Sequence, residues 1–313
     1  MNKPPIAIKR MQMYATHKCQ LECNFCPRST DLEMPEVYMD LPTFKEYADK
    51  CIEGGITEFE LSPLVGDPLL DHELADRILY LQDKPEVTLI FIFTNLLALK
   101  ESFMDKVEDC TKFEFKLSIY GDTPELYKER TGINAFHVYV KKLQLLGRYL
   151  NRPTTRFTLS EIVIRFIGYD ANDIKKLMPT NPLYKQLYSL IIFEHIKKGE
   201  IVGAGEDVNW VEDLIHVEET IHNDTPGPNK FGRVGACEYL IEDNGIWPNG
   251  DVGICTCWFD INKKMILGNI NEMTIPELYG EESLFQKIKD EQDKGVWRSL
   301  CKSCSWGTKD GQV

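Results

Sequence analysis

The sequence predicts an α/β fold: a partial (β/α)6 barrel of the TIM type followed by a small C-terminal α+β domain. Three observations predict it. Strand-like and helix-like stretches alternate through the first two-thirds of the chain, as a parallel sheet with right-handed crossovers requires. Residues 222–235, rich in Pro, Gly and Asn, interrupt the alternation and read as a linker. Beyond them the pattern changes to a hairpin and two short helical stretches. The domains are therefore expected at 1–221 and 236–313, with 222–235 between them.

Each element has its own reason. Residues 8–15 read as a strand that leads to the first cysteines. Residues 41–54 read as a helix stopped by Gly54-Gly55. A short strand at 57–61 and a helix at 71–81 follow. The apolar β-rich run at 87–93 is a buried strand, with a helix at 100–110 and a strand at 113–119. Residues 135–150 carry apolar side chains at helical spacing, and 158–166 are β-branched. A helix at 172–178 and a sixth strand at 188–193 complete the six units. In the last part, 245–257 read as a hairpin turning at Pro248-Asn249-Gly250-Asp251, with helical stretches at 275–280 and 283–293. In such a barrel, chemistry belongs at the carboxyl ends of the strands.

The chain has 313 residues and a net charge of −13, which argues against a broad electrostatic grip on nucleic acid or anionic lipid. The first seven residues lack the apolar core of a signal peptide, and no run is long enough to span a bilayer. A cytoplasmic protein is the expectation. There the ten cysteines are reduced, so metal or redox chemistry explains them better than disulfides. Cys51 and Cys110 stand alone and read as small core residues.

Cys19, Cys23 and Cys26 have the spacing CxxxCxxC. Three thiolates this close can ligate three irons of a four-iron cluster and leave the fourth iron open for catalysis. Zinc is the alternative, with His17 as a fourth ligand. The segment resembles the motif of the radical S-adenosylmethionine (SAM) superfamily. That resemblance implies that the open iron binds SAM, that an electron cleaves its sulfonium bond, and that a 5′-deoxyadenosyl radical takes a hydrogen atom from substrate. It also implies a reductase partner such as flavodoxin or ferredoxin. Phe25 matches the aromatic position beside the adenine.

Further segments carry the resemblance. Gly66-Asp67-Pro68 resembles the element that meets the SAM amino group, although Val65-Gly66-Asp67 stands where Gly-Gly-Glu is usual. Without the cysteines it would read as a turn. Ser118-Ile-Tyr-Gly121, followed by Arg130, resembles the segment that binds the ribose and carboxylate of SAM, and an Arg fork suits a carboxylate. Arg165 is an alternative to Arg130. Asn95, after Thr94, either bonds the ligand or caps its strand.

Cys237, Cys255, Cys301 and Cys304 form a four-ligand pattern that alone fits zinc or a second four-iron cluster. Their order behind the first motif resembles the twitch/SPASM domains, which hold an auxiliary cluster. The whole layout is similar to that of the 2-deoxy-scyllo-inosamine dehydrogenases. The implied cofactors are two 4Fe–4S clusters and SAM. Cys257 is the spare thiol: a packed residue, the ligand in place of Cys255, or a hydrogen-atom donor. All five tryptophans lie between 210 and 306, which suits packing of a small cluster domain.

The expected function is hydrogen abstraction that oxidises a sugar or aminocyclitol-type small molecule. The alternatives are epimerisation of a peptide or sugar carbon with Cys257 or Cys110 as donor, and a non-catalytic zinc scaffold. The motif begins at residue 19, which leaves no room for a leader-binding domain before it.

Overall fold

The computed structural model describes residues 8–24, 26, 38–63, 65–164, 183, 215–217, 237, 240–241, 244–254 and 265–298. They form one nine-stranded sheet with helices against it. The strands are β1 (Arg10–Met13), β2 (Glu58–Glu60), β3 (Leu89–Thr94), β4 (Phe113–Ile119), β5 (Thr158–Ile164), β6 (Ile215–Val217), β7 (Asn244–Ile246), β8 (Asp251–Ile254) and β9 (Ile266–Asn269). The helices are α1 (Leu41–Glu53), α2 (Leu74–Gln82), α3 (Glu101–Val107), α4 (Pro124–Thr131), α5 (Phe136–Leu150), α6 (Ile275–Tyr279) and α7 (Leu284–Asp293).

The strand order is β6-β5-β4-β3-β2-β1-β7-β8-β9. The first six strands pair in parallel and in sequence order, as the alternation predicts. The strand beside β5 is Ile215–Val217. The expected strand at 188–193 and the helix at 172–178 lie outside the described residues. The expected domain border is not a border of the sheet. β7 pairs in parallel with β1, with Gln12 opposite Gly245, and the β7–β8 hairpin and β9 extend the sheet from there. An open barrel leaves one edge of β1 unpaired, and β7 satisfies those backbone groups.

Local chemistry starts and stops the helices. Asp40 caps α1 by accepting from Thr43 N at 2.8 Å, and Pro42 sits in the first turn where no N–H is needed. Phe44, Tyr47, Ala48 and Cys51 form its buried face; full burial of each large side chain stabilises by about 1.5–3 kcal/mol. The sequence reading passed over α4. Its start signal is Thr123-Pro124, and Thr123 accepts from Leu126 N. Its stop is Gly132 in the left-handed region, at φ 75°. A helix this short and charged shows no apolar stripe, so periodicity does not reveal it.

The two faces of the sheet differ. Phe113 and Phe115 of β4 pack against Phe103 of α3 and belong to the hydrophobic core with Ile90, Ile92 and Leu117. The opposite face is polar. Gln12, Glu60 and Phe91 stand side by side in register, as do Phe93 and Lys116. Gln12 Nε2 donates to Glu60 Oε1 at 3.1 Å and to Ser62 O at 2.8 Å, and Tyr14 Oη donates to Gln12 Oε1 at 3.0 Å. The Lys116 ammonium lies 4.4 Å and 5.1 Å from the Phe91 and Phe93 ring centres. Trp247, just after β7, packs on Tyr14 with ring centres 4.8 Å apart.

Candidate functional site

The first cysteines sit in the loop that leaves the carboxyl end of β1. Cys19 and Cys26 are half-buried and Cys23 is buried. Leu21 N donates to Cys19 Sγ at 3.4 Å, and Cys26 N to Cys23 O at 3.1 Å. The loop is docked on the end of α4. Glu22 N donates to Thr131 O at 2.9 Å, Asn24 N to Arg130 O at 3.1 Å, and Asn24 Nδ2 to Glu129 O at 3.4 Å. A helix cannot satisfy its own last carbonyls, so the loop supplies their donors. A Cβ on Gly132 would stand 2.9 Å from that of Glu22, so a side chain there would push the loop away.

A second segment holds the loop from the other side. Gly66 has φ 132°, and a Cβ on it would stand 3.0 Å from Lys18 O. Asp67 N donates to Lys18 O at 2.8 Å. The Asp67 carboxylate accepts from Thr94 Oγ1 at 2.9 and 3.1 Å, Asn95 N at 2.8 Å and Leu69 N at 3.0 Å. Burial pushes its carboxyl up to about 6, against the pull of those donors. The resemblance led to the expectation that this segment meets SAM. Here the carboxylate ties the loop after β2 to the end of β3, and Pro68 opens a buried 3₁₀ turn. Asn95 continues the tie: its Oδ1 accepts from Gln20 Nε2 at 2.8 Å, and its Nδ2 lies 3.9 Å from Cys19 Sγ.

Ser118 is buried near the carboxyl end of β4. A Cβ on Gly121 would meet Tyr127 N at 2.5 Å, so glycine lets that segment pass against α4. Arg130, on the last turn of α4, is half-buried, and its Nε is buried without a hydrogen-bond partner among the described residues. Sequence reasoning missed Tyr127. Its ring is fully buried, packed on Phe136 and stacked on Tyr139, and its hydroxyl has no hydrogen-bond partner among the described residues. Burial, followed by the nearby Cys23, Asp67 and Cys19, holds that phenol above its ordinary range. The signal available was position alone, between the Ser-x-x-Gly segment and Arg130.

The lone cysteines behave as core residues. Burial raises both thiols, Cys110 to about 11. Cys110 lies just before the amino end of β4, and the strand separates it from the cysteine loop by roughly 20 Å at about 3.3 Å per residue. That corrects its expected role as a hydrogen donor at this site. Cys237 is half-buried, and its N–H donates to Gln292 Oε1 of α7 at 2.8 Å. Phe25, Arg165, Cys255, Cys257, Cys301 and Cys304 lie outside the described residues.

The residues present fit an iron–sulfur cluster with an anionic ligand. Cys19 Sγ accepts from a backbone N–H, and two buried donors, Tyr127 Oη and Arg130 Nε, have no acceptor among the described residues. Among the described residues, no three His, Cys, Asp or Glu side chains converge on a single-ion position, and a four-iron body is wider than one ion.

A six-stranded parallel barrel with a three-cysteine loop at its carboxyl end defines an iron–sulfur enzyme class. Two family models place the chain within it: the radical SAM superfamily over residues 13–166, and an iron–sulfur cluster-binding domain of the SPASM type over residues 237–305. The chain belongs to the radical SAM superfamily and carries a C-terminal SPASM/twitch domain. It is an enzyme of that superfamily, whose cofactors are a 4Fe–4S cluster and SAM, with further iron–sulfur clusters in the SPASM domain. No curated protein matches the chain. Three solved structures share the fold. BtrN in complex with AdoMet and 2-DOIA is 15% identical, with a TM-score of 0.51 over 98% of this chain and 95% of that one. Native anSMEcpe with bound AdoMet is 17% identical, at 0.56 over 95% and 86%. SuiB of Streptococcus suis bound to S-adenosylmethionine is 13% identical, at 0.60 over 96% and 72%. No helix among the described residues is long and apolar enough to cross a membrane.

Proposed function

We propose that this enzyme oxidises a hydroxylated small molecule of the sugar or aminocyclitol type. The polar face of the barrel carries this reading. Gln12, Glu60 and Ser62 form a hydrogen-bonded row, and Lys116 lies over Phe91 and Phe93, within three residues of the strand ends near the cysteine loop. Such a surface matches hydroxyl and amine groups on a compact ring. BtrN, crystallised with 2-DOIA, matches over 95% of its own chain, which supports a small-molecule substrate.

In this reading Cys19, Cys23 and Cys26 hold the first cluster. When bound, that cluster and SAM supply reductive cleavage of the sulfonium bond to a 5′-deoxyadenosyl radical. Arg130 pairs with the SAM carboxylate, and Gly66, Pro68, Asn95 and Ser118 line the cosubstrate, with Phe25 beside the adenine. Asp67 is a positioning residue, since its carboxylate braces the loop that approaches Lys18. Cys237, Cys301 and Cys304, with Cys255 or Cys257, hold the auxiliary cluster. When bound, that cluster would supply an acceptor for the second electron of the substrate oxidation. The barrel spans 1–221 and the cluster domain 236–313. A flavodoxin or ferredoxin delivers the first electron.

The test is anaerobic turnover. Reduced protein with about eight irons is expected to release 5′-deoxyadenosine from SAM. With a deuterated aminocyclitol, deuterium is expected in that product and none from solvent in the oxidised ring. Solvent deuterium in the substrate carbon would replace oxidation by epimerisation.

A further inference from the structure

We infer that the Tyr127 hydroxyl donates a hydrogen bond to a sulfur of the first cluster and makes that cluster easier to reduce. The inference rests on the reading of Cys19, Cys23 and Cys26 as its ligands, and goes beyond it by assigning a residue that tunes the cluster.

Four observations carry it. Tyr127 is fully buried, and its hydroxyl finds no acceptor among the described residues. A buried phenol without a partner is costly, so its persistence points to an acceptor that the chain does not supply. Tyr127 stands on α4, one turn before Arg130 and Thr131, whose carbonyls hold the cysteine loop. Its backbone is fixed there, because Gly121 passes against Tyr127 N and Thr131 Oγ1 donates to Tyr127 O at 2.6 Å. The charges that reach the phenol are those of Cys23, Asp67 and Cys19. Asp67 already accepts from Thr94, Asn95 and Leu69, so of these three groups the two sulfurs are the fitting acceptors. A donor to sulfur withdraws charge and stabilises the reduced, more negative cluster.

The experiment is an electron paramagnetic resonance redox titration of the full-length, iron-loaded enzyme. The first cluster is followed as the signal that changes when SAM is added. Tyr127→Phe, which removes only the hydroxyl, is expected to lower the ratio of reduced to oxidised cluster about tenfold at fixed potential, a shift of about 59 mV for one electron. Tyr139→Phe removes a second buried hydroxyl that has no partner among the described residues, and is expected to leave the ratio unchanged, because the groups that act on that phenol are Tyr127 and Tyr120 and not the cysteines. An unchanged ratio in loaded Tyr127→Phe overturns the inference, as does an equal shift in Tyr139→Phe. If Tyr127→Phe fails to load iron, 3-fluorotyrosine at position 127 decides. Its more acidic phenol must raise the ratio, and no change overturns the inference. A SAM-responsive signal that survives Cys19→Ala, Cys23→Ala and Cys26→Ala together overturns the ligand reading itself, a result distinct from an unchanged potential.

Discussion

The two ends of the barrel are built differently. At the amino ends of the strands, polar groups find partners within the chain. Lys112 Nζ donates to the carbonyls of Gln82 and Lys84 at 3.0 and 2.6 Å, and Glu108 accepts from Arg152, Thr154 and Thr155. Cys110 lies there in apolar surroundings. At the carboxyl ends, glycines adopt positive φ at Gly66 and Gly132, loops hang on helix carbonyls, and the buried donors Tyr127 Oη and Arg130 Nε lack partners among the described residues. The first end pairs its charged groups within the chain. The second leaves donors open beside the cysteine loop, which is where a barrel of this kind does chemistry.

The largest effect should come from replacing Cys19, Cys23 and Cys26 together with Ala. 5′-deoxyadenosine is expected to fall to the level seen without reductant, while the same replacement at Cys110 should leave turnover within about twofold, as a core thiol change costs stability rather than chemistry. Turnover by the triple variant would erase the contrast between the two ends.

Next is Arg77, which is fully buried and bridges α2 to the chain that returns from the cysteine loop. It pairs with Asp71 at 2.7 Å and donates to Met39 O. Arg77→Leu strands the Asp71 charge and should cost about 3–5 kcal/mol in a denaturant titration. A smaller loss is expected from Gly66→Ala, about 1–3 kcal/mol, since its φ of 132° strains any side chain. That variant should also lower iron retention, because Gly66 lies against the backbone beside Cys19.

Asp67 sharpens the contrast by pH. Its folded carboxyl is raised from 3.8 to about 6, so between those values the folded chain holds a proton that the unfolded chain has lost. Its contribution to stability is therefore present in full below about 3.8 and is lost as pH rises through about 6. Asp67→Asn should flatten the melting temperature across that window. The smallest effect is expected from Lys84→Ala at the other end. Its pair with Asp49 is largely solvent-screened, so a loss of about 0.2–1 kcal/mol should be measured, shrinking with salt.

Legibility in the sequence followed the range of each interaction. β4 appears at the predicted residues, and the neighbouring strands within two or three, because strand periodicity is local. The cysteine spacing was legible for the same reason. The tie from Asp67 to Thr94 was not legible because the two are 27 residues apart, and a turn motif cannot announce that. α4 was lost to its charged, stripe-free sequence, and Tyr127 with it. The pairing of β7 with β1 joins segments too far apart for any local pattern to report.

That last pairing has a consequence for biogenesis. The edge of β1 waits for a strand roughly 230 residues downstream, so native topology is completed late and contact order is high. A ribosome-bound chain shows an open sheet edge through most of its synthesis, which invites aggregation and chaperone binding. Closure of that edge also brings the β7–β8 hairpin onto the strand that bears the first cysteine loop, so a late segment of the chain and the loop share a single ladder of hydrogen bonds.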